Sequence, residues 1–264
     1  MNNSIGIIGG GFVGSATAWA FRPTHEVKVY DKDPKASMHT LKEAVESDFV
    51  FICVPTPPRE DWTIDLSIIE SVFENIKLYS RYPPQQFLIK STVLPGTCRK
   101  MSKKYGLRVS SNPEFLTERR AKWDFINAAQ ILIGSDDSED ASKIQELYEQ
   151  RFNSMKYTIT DTVTSELIKY TLNCFFATKV SFMNEVKMLS NKIGADWDKL
   201  VEGFTSDSRI GDSHVDVPGP DGKLGFGGKC FPKDLNALME LFRSNNIDPL
   251  VMQAAWERNQ KTRI

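Results

Sequence analysis

The residues with the clearest capacity for chemistry are a cysteine, a lysine and an aspartate that lie close together late in the chain. Cys230, Lys233 and Asp234 belong to the glycine-rich segment GFGGKCFPKD at 225–234. A thiol is a good nucleophile only as the thiolate, and nearby cationic groups lower the pKa of a thiol toward the working pH. The segment therefore indicates a nucleophilic cysteine on a flexible loop. The competing interpretation is a buried cysteine in a tight turn, since a lone cysteine usually packs as a small apolar residue.

Glycines near the start of the chain form a second pattern with chemical meaning. Gly9, Gly11 and Gly14 match GxGxxG, directly after an apolar stretch at 5–9 and at the start of a helical pattern at 12–21. Such glycines permit a tight turn and close approach of the backbone to a pyrophosphate, which the N–H groups of the helix N-terminus then bind. The pattern alone is weak, because a glycine turn in an α/β protein also occurs without a ligand.

An acidic residue strengthens this interpretation and bears on the choice of nucleotide. Asp31 ends the next apolar stretch, at 26–31, where a carboxylate accepts hydrogen bonds from a ribose hydroxyl. NAD is therefore favoured over NADP, because the 2′-phosphate of NADP would face this carboxylate. Lys32 and Lys35 lie nearby and leave NADP open as the alternative.

The first 160 residues alternate short apolar runs with helical patterns, and this alternation determines the expected fold. Strands are predicted at 5–9, 26–31, 48–54, 87–90, 107–110, 130–133 and 156–159, and helices at 12–21, 66–79 and 139–152. Such alternation implies right-handed crossovers and a mostly parallel sheet that is covered on both faces. We therefore predict an α/β dinucleotide-binding domain over residues 1–160, built on a Rossmann-type, doubly wound parallel sheet.

The pattern changes after Asp161. Residues 162–193 contain neither proline nor glycine, and their apolar residues recur at helical spacing. A continuous helix of this length measures about 45–50 Å at about 1.5 Å per residue, so we interpret it as a connector and as a dimerisation element. Gly194 is its predicted C-cap. Shorter helices predicted at 197–203, 235–245 and 249–261, with a loop rich in glycine and proline at 206–232, complete a small all-α central domain over residues 161–264.

The overall composition excludes several classes of protein. Apolar residues make up 41% of the chain, charged residues make up 25%, and the net charge is -1, so no global field attracts nucleic acid or an anionic membrane. The four cysteines are scattered without CxxC spacing, which argues against a disulfide framework and a zinc site. No basic leader precedes the first strand, and no apolar run is long enough to cross a membrane, so we expect a cytoplasmic protein.

With both ends considered, the chain resembles the UDP-glucose/GDP-mannose dehydrogenase family. The matching segments run in the same order along the chain: GIIGGGFVG at 6–14, FICVPTP at 51–57, KSTVLPGT at 90–97, SNPEFLTE at 111–118, ELIKYTLNCFFATKVSFMNE at 166–185, SRIG at 208–211 and GFGGKCFPKD at 225–234. Enzymes of this family oxidise the C6 alcohol of a nucleotide sugar to a carboxylate with two NAD. The resemblance therefore implies NAD as the cofactor and a nucleotide sugar, UDP-glucose in the first place, as the substrate.

The resemblance also implies catalytic roles for particular residues. Cys230 would trap the intermediate aldehyde as a thiohemiacetal that is then oxidised to a thioester, and Asp234 would take part in proton transfer. Lys169 and Asn173 would stabilise the developing alkoxide, and Glu114 would position or deprotonate the water that hydrolyses the thioester. Spacing alone leaves other interpretations open: Lys169 and Asn173 as a solvated helix face, and Asp234 as a helix cap.

Further residues are implied to contact the cofactor or the substrate. The hydroxyl of Thr92 resembles one that bridges the catalytic water and the nicotinamide. Residues that resemble cofactor contacts are Gly9, Gly11, Phe12, Val13, Gly14, Asp31, Thr56, Glu118 and Lys233. Residues that resemble substrate contacts are Asn184, Arg209 and Gly227. The alternative for Glu118 is an exposed helical charge, and no metal site is predicted.

The sequence departs from the family pattern in three respects. The family normally adds a third domain that holds the UDP or GDP group, and this chain ends before it; Lys229 and Gln130 replace residues that are usual in the family. Three hypotheses follow: a nucleotide-sugar 6-dehydrogenase that is minimal or completed by a partner carrying the missing domain, a β-hydroxyacid dehydrogenase-like enzyme, or a non-catalytic NAD-binding and dimerising fragment. We expect a homodimer through the helix at 162–193 in each case.

Overall fold

The structure is a computed structural model that describes residues 3–80, 85–152 and 154–263. The chain divides into two compact units, the first made of Met1–Pro57 with Ile64–Lys169 and the second of Pro58–Thr63 with Tyr170–Ile264. The boundary predicted between residues 160 and 161, which separates the dinucleotide-binding domain from the helical central domain, stays a prediction. Within the described ranges, no helix combines the length and the apolar character needed to cross a bilayer.

The first unit contains one mostly parallel sheet, as the sequence predicted. In the described part of the chain its strands are β1 (Ile5–Ile8), β2 (Val27–Tyr30), β3 (Phe49–Ile52), β4 (Gln86–Ile89), β5 (Val109–Ser111), β6 (Ile131–Gly134) and β7 (Tyr157–Thr160). Their order across the sheet is β2-β1-β3-β4-β5-β6-β7. Each neighbouring pair is parallel except β5 with β6. This doubly wound order confirms the predicted fold class.

Helices cover both faces of this sheet. They are α1 (Phe12–Phe21), α2 (Leu41–Val45), α3 (Ser67–Tyr79), α4 (Thr97–Tyr105), α5 (Ala121–Ile126), α6 (Ser138–Glu149) and the start of α7 (Thr162–Ile193). Along β3, Phe49 and Phe51 pack into one apolar cluster, whereas Val50 and Ile52 pack into the other. Side chains alternate between the faces of a strand, so a strand that is covered on both sides is apolar throughout.

The second unit is helical. The remainder of α7 is followed by α8 (Trp197–Thr205), α9 (Phe231–Ser244) and α10 (Leu250–Thr262). The bounds predicted for α7 agree with the structure, and Gly194 follows it with a left-handed φ of 72°. The predicted start of α9 at residue 235 is wrong, because the helix begins at Phe231. Pro232 lies in its first turn, where proline has a favourable φ and lacks an N–H that has no helical partner there.

Candidate active site

The glycine turn after β1 has the form of a pyrophosphate cradle. A Cβ on Gly9, whose φ is 104°, would lie 2.5 Å from the carbonyl oxygen of Cys53, and one on Gly14 would lie 1.8 Å from the carbonyl oxygen of Gly9. Backbone packing therefore requires glycine at both positions. Gly11, the N-cap of α1, differs because its Cβ would meet nothing within 4 Å. The N-terminus of α1 is thus open at the point where a phosphate would approach.

Asp31 is held in a fixed orientation beside this turn. Its Oδ2 accepts a hydrogen bond from the backbone N–H of Gly10 at 2.5 Å, and its Oδ1 accepts one from Asp33 at 2.8 Å. Asp31 and Gly11 both line a cavity of about 270 Å³, together with residues of β1, β2 and α3 that include Tyr30 and Val72. An open helix N-terminus next to an oriented carboxylate fits a bound dinucleotide.

The loops that follow β3 and β4 are tied together by side-chain hydroxyls. The hydroxyl of Thr56 donates to the backbone carbonyl of Thr92 at 2.8 Å, and the hydroxyl of Ser91 donates to that of Val54 at 2.6 Å. Thr56 is buried. These contacts fix the carboxyl ends of two neighbouring parallel strands, the edge of the sheet at which ligands of such folds bind.

Lys169 and Glu114 form a buried pair in the first unit. The Nζ of Lys169 donates to the backbone carbonyl of Glu114 at 2.6 Å and lies 3.5 Å from the carboxylate Oε1. The exposed fractions of the two side chains are 6% and 10%, so Lys169 does not belong to a solvated helix face. The Glu114 carboxylate also accepts a hydrogen bond from the backbone N–H of Leu116. A cation is therefore held next to a carboxylate with little water between them.

Asp234 is the centre of a hydrogen-bonded cluster in the second unit. Its Oδ2 accepts a hydrogen bond from Nδ2 of Asn173, and its Oδ1 accepts one from Nζ of Lys233, each at 2.6 Å. The aspartate is 1% exposed. The N-cap of α9 is Cys230, so the alternative in which Asp234 caps the helix is wrong. The carboxylate instead balances the charge of Lys233 and orients the amide of Asn173.

Cys230 differs from the other cysteines in its surroundings. All four cysteines are thiols; Cys98 and Cys174 are buried, Cys53 is half-buried and Cys230 is exposed. Burial raises the pKa of Cys53 to about 12 and raises the pKa of Cys174 well above its ordinary value, which leaves these thiols unreactive. Cys230 stands at the N-terminus of the 14-residue helix α9, where the helix dipole favours a thiolate.

The glycine loop that leads to Cys230 is anchored by α7 and α10. Asn259 accepts a hydrogen bond from the backbone N–H of Phe226 at 2.7 Å and donates to its carbonyl at 3.0 Å. Asn184 accepts a hydrogen bond from the N–H of Gly225 at 3.1 Å. A Cβ on Gly227 would lie 2.3 Å from the guanidinium group of Arg263. Asn184 and Gly227 therefore shape this loop, whatever their predicted contacts with a substrate.

Sequence reasoning missed Asn259 and Arg263. The available signal was weak: Asn259 follows the buried Ala255 by one helical turn on the buried face of α10.

Two other predicted residues are exposed, namely Glu118, in a short 3₁₀ turn at Glu118–Arg120, and Arg209, which pairs with Asp207. Within the described residues, no group of three or more His, Cys, Asp or Glu side chains could hold a metal.

Comparisons with known proteins cover most of the chain. The model of the UDP-glucose/GDP-mannose dehydrogenase family, NAD binding domain, matches residues 28–152, and that of the central domain matches residues 163–261. The match to the NAD binding domain supports NAD as the cofactor, as predicted. A UDP-glucose 6-dehydrogenase of Rickettsia bellii is 38% identical over 226 residues, which are 83% of this chain and 51% of that protein. The chain thus spans about half the length of the curated relatives it matches.

Solved structures agree with this fold. A UDP-glucose dehydrogenase from the hyperthermophilic archaeon Pyrobaculum islandicum superposes with a TM-score of 0.88 at 29% identity, over 99% of this chain and 68% of that one. A 3-hydroxyisobutyrate dehydrogenase of Mycobacterium tuberculosis superposes with a TM-score of 0.79 at 19% identity, over 99% of this chain and 94% of that one. The second likeness concerns the fold alone.

Proposed function

We propose that this chain, which belongs to the UDP-glucose/GDP-mannose dehydrogenase family, oxidises the C6 alcohol of a nucleotide sugar to a carboxylate with NAD. UDP-glucose is the proposed substrate because relatives in Rickettsia bellii and Bacillus subtilis are UDP-glucose 6-dehydrogenases. The observation that carries the proposal is the exposed thiol of Cys230 at the N-terminus of α9. Two successive oxidations at one carbon require that the aldehyde be retained, and a thiolate can retain it covalently.

The covalent steps are these. In the first oxidation the C6 hydroxyl loses its proton and C6 loses a hydride, which leaves an aldehyde. The sulfur of Cys230 then bonds to C6, and the carbonyl oxygen takes up a proton to become the hydroxyl of a thiohemiacetal. Loss of a second hydride from C6, together with the proton of that hydroxyl, gives a thioester. Attack of water on C6 then breaks the carbon–sulfur bond and releases the carboxylate, the thiolate and two protons. NAD, when bound, accepts the hydride in each oxidation.

Four polar residues take the remaining roles in this proposal. The ammonium group of Lys169 and the amide of Asn173, one turn apart on α7, donate to the oxygen on which negative charge develops. Asp234 occupies one N–H of the Asn173 amide, which leaves the second N–H for that oxygen. Glu114, next to Lys169, activates the hydrolytic water. The roles of the other predicted contact residues stay predictions.

The test uses the purified chain with NAD and UDP-glucose, and follows NADH together with the sugar product. We expect two NADH per uronic acid, and no uronic acid from Cys230→Ser, because a serine hydroxyl does not retain the aldehyde. Cys98→Ala removes a buried thiol and serves as the control. One NADH from a small hydroxy acid, unaffected by Cys230→Ser, would replace this proposal with the β-hydroxyacid dehydrogenase alternative. NAD binding without turnover of any such substrate would favour the non-catalytic alternative.

We further propose that the chain forms a homodimer through α7. Phe175, Phe182 and Leu189 recur every seven residues along one side of this helix and are 61%, 52% and 59% exposed. Large apolar side chains at this spacing form a stripe of the kind that pairs with a second helix. Light scattering of the wild type is expected to give twice the monomer mass, and Phe182→Glu is expected to give the monomer. A monomeric wild type at micromolar concentration would contradict the proposal.

A further inference from the structure

Lys90 is a buried lysine in the first unit to which the proposed mechanism gives no role. It follows β4 at the carboxyl end of the strand and is 3% exposed. Its Nζ donates to Oδ1 of Asn112 at 2.9 Å, to the backbone carbonyl of Asn112 at 3.2 Å and to the hydroxyl of Tyr148 at 3.3 Å. An ammonium group has three N–H bonds, so these neutral acceptors can satisfy all of them. Buried lysines are rare, and the surroundings of Lys90 provide an acceptor for each N–H of its ammonium group.

The network around Lys90 fixes the segment that carries Glu114. Lys90 holds both the side-chain and the backbone oxygen of Asn112, and Asn112 in turn donates from Nδ2 to the carbonyl of Leu132 at 2.8 Å. Tyr148 donates to the same Oδ1 of Asn112 at 2.6 Å. Pro113, the residue between Asn112 and Glu114, has its φ fixed by the proline ring. Anchoring Asn112 therefore restricts the positions that the backbone of Glu114 can take.

Glu114 links this network to Lys169. Its backbone carbonyl accepts the hydrogen bond of the Lys169 ammonium group, and its carboxylate lies beside the same group. A continuous set of contacts therefore runs from Lys90 through Asn112 and the peptide of Glu114 to Lys169. A shift of Asn112 would move the carboxylate of Glu114 and the acceptor of Lys169 together.

The charge of Lys90 is costly for the fold. Burial lowers its pKa to about 8, the negative charge of Glu114 acts in the opposite direction, and the positive charge of Lys169 adds to the lowering. Two aromatic rings also face Nζ, with the centroid of Phe51 at 5.5 Å and that of Phe125 at 5.4 Å. A buried ammonium group that makes no hydrogen bond to a carboxylate does not stabilise the fold by forming an ion pair. Its presence is better explained by a role in function.

We propose that Lys90 is a positioning residue: its ammonium group fixes Asn112, and thereby the Glu114 carboxylate and the Glu114 carbonyl that orients Lys169. This inference rests on the proposed function, because the roles of Glu114 and Lys169 do. A misplacement of reacting groups by about 1 Å costs about 100-fold in rate, and that is the scale expected when Lys90 is lost.

The test compares Lys90→Met and Lys90→Gln with Gln86→Met in the full chain. Gln86 lies at the opposite end of β4, is fully buried, and donates to Asp140, so its loss also removes a buried hydrogen bond but lies away from Glu114. Lys90→Met is expected to lower kcat about 100-fold with KM for UDP-glucose and NAD affinity little changed. Lys90→Gln, which retains an N–H donor, is expected to recover part of that loss, and Gln86→Met to leave kcat near the wild-type value.

A second readout does not depend on turnover. Reductive methylation followed by mass spectrometry measures how fast each lysine is modified, and Lys169 is expected to react slowly in the wild type and in Gln86→Met but at least several-fold faster in Lys90→Met. An unchanged Lys169 rate in Lys90→Met overturns the inference even in an active enzyme. Equal losses of kcat in Lys90→Met and Gln86→Met also overturn it. A faster Lys169 rate in a chain that oxidises no nucleotide sugar would support the positioning role while contradicting the proposed function.

Discussion

Replacement of Glu166 by glutamine is expected to change how the stability of the chain depends on pH. Glu166 lies on α7 and is 2% exposed. Its Oε2 accepts a hydrogen bond from the backbone N–H of Gly96 at 2.5 Å, and its Oε1 accepts one from Cys98 at 2.8 Å, both at the N-terminus of α4. Burial nevertheless raises the pKa of this carboxyl from 4.5 to about 7, and the negative charge of Asp136 acts in the same direction.

The size of the effect follows from this shift. Between pH 4.5 and about 7 the folded chain binds a proton at Glu166 that the unfolded chain has released, so stability falls as the pH rises through this window. A shift from 4.5 to about 7 corresponds to about 3 kcal/mol at about 1.4 kcal/mol per pKa unit. Glu166→Gln removes the titration. It also replaces one of two acceptors by a donor, which costs about 1–3 kcal/mol at every pH.

The assay is urea unfolding of both proteins at pH values from 8 down to 5. The wild type should gain about 2–3 kcal/mol relative to Glu166→Gln over that range. The comparison is made as a difference because burial lowers the pKa of His214 in both proteins, and that shift changes stability with pH in the opposite sense. If the free energies of unfolding of the two proteins differ by the same amount at every pH, Glu166 does not titrate in this range, and the effect assigned to its burial is wrong.

Three further predictions concern the nucleotide turn and the cysteine loop. Gly14→Ala would place a Cβ 1.8 Å from the carbonyl oxygen of Gly9. We expect NAD affinity, measured by calorimetry, to fall more than about 10-fold, and the free energy of unfolding to fall by about 1–3 kcal/mol. An unchanged affinity would contradict the proposal that this glycine turn binds the pyrophosphate. Asp31→Ala should weaken the binding of NAD about 10-fold or more, as expected for a lost charge-assisted hydrogen bond, and should weaken the binding of NADP less. An unchanged ratio of the two dissociation constants would count against a contact between Asp31 and the ribose. Asn259→Asp turns a carboxylate oxygen toward the carbonyl of Phe226 and should destabilise the chain by about 1–3 kcal/mol; an unaltered thermal midpoint would show that Asn259 does not anchor the loop.

Much of the fold was predictable because its signals are local. Strands covered on both faces are continuously apolar, and β1, β3 and β6 show this in their sequence. The long helix α7 has no internal breaker. Helices α2, α4 and α5 were missed; α2 and α5 have only five and six residues, too few for a period to be evident. In α4 only two large apolar residues, Met101 and Tyr105, mark the buried side, and two positions do not define a period.

The site was predictable only where motifs carry it. Resemblance identified Cys230, Lys169 and Asp234, and the structure supplies the partners of Lys169 and Asp234. Lys90 belongs to a matching motif, yet its contact with Asn112 links positions far apart in sequence. No periodicity or spacing indicates such a contact. The same reason explains why Arg263, whose guanidinium group packs on the cysteine loop, could not be found.

Helix α7 shows why hydrophobic pattern alone misleads at this site. Its buried side carries polar side chains, each of which holds a loop or another helix: Glu166, Lys169, Asn173, Lys179, Ser181 and Asn184. Its exposed side carries large apolar residues such as Phe182. A helix that served only to stabilise a core would have the reverse arrangement, because each buried polar group costs free energy unless its hydrogen bonds are made. The buried side of α7 is therefore explained by the loops it fixes, and the exposed side by the second copy that we propose to cover it.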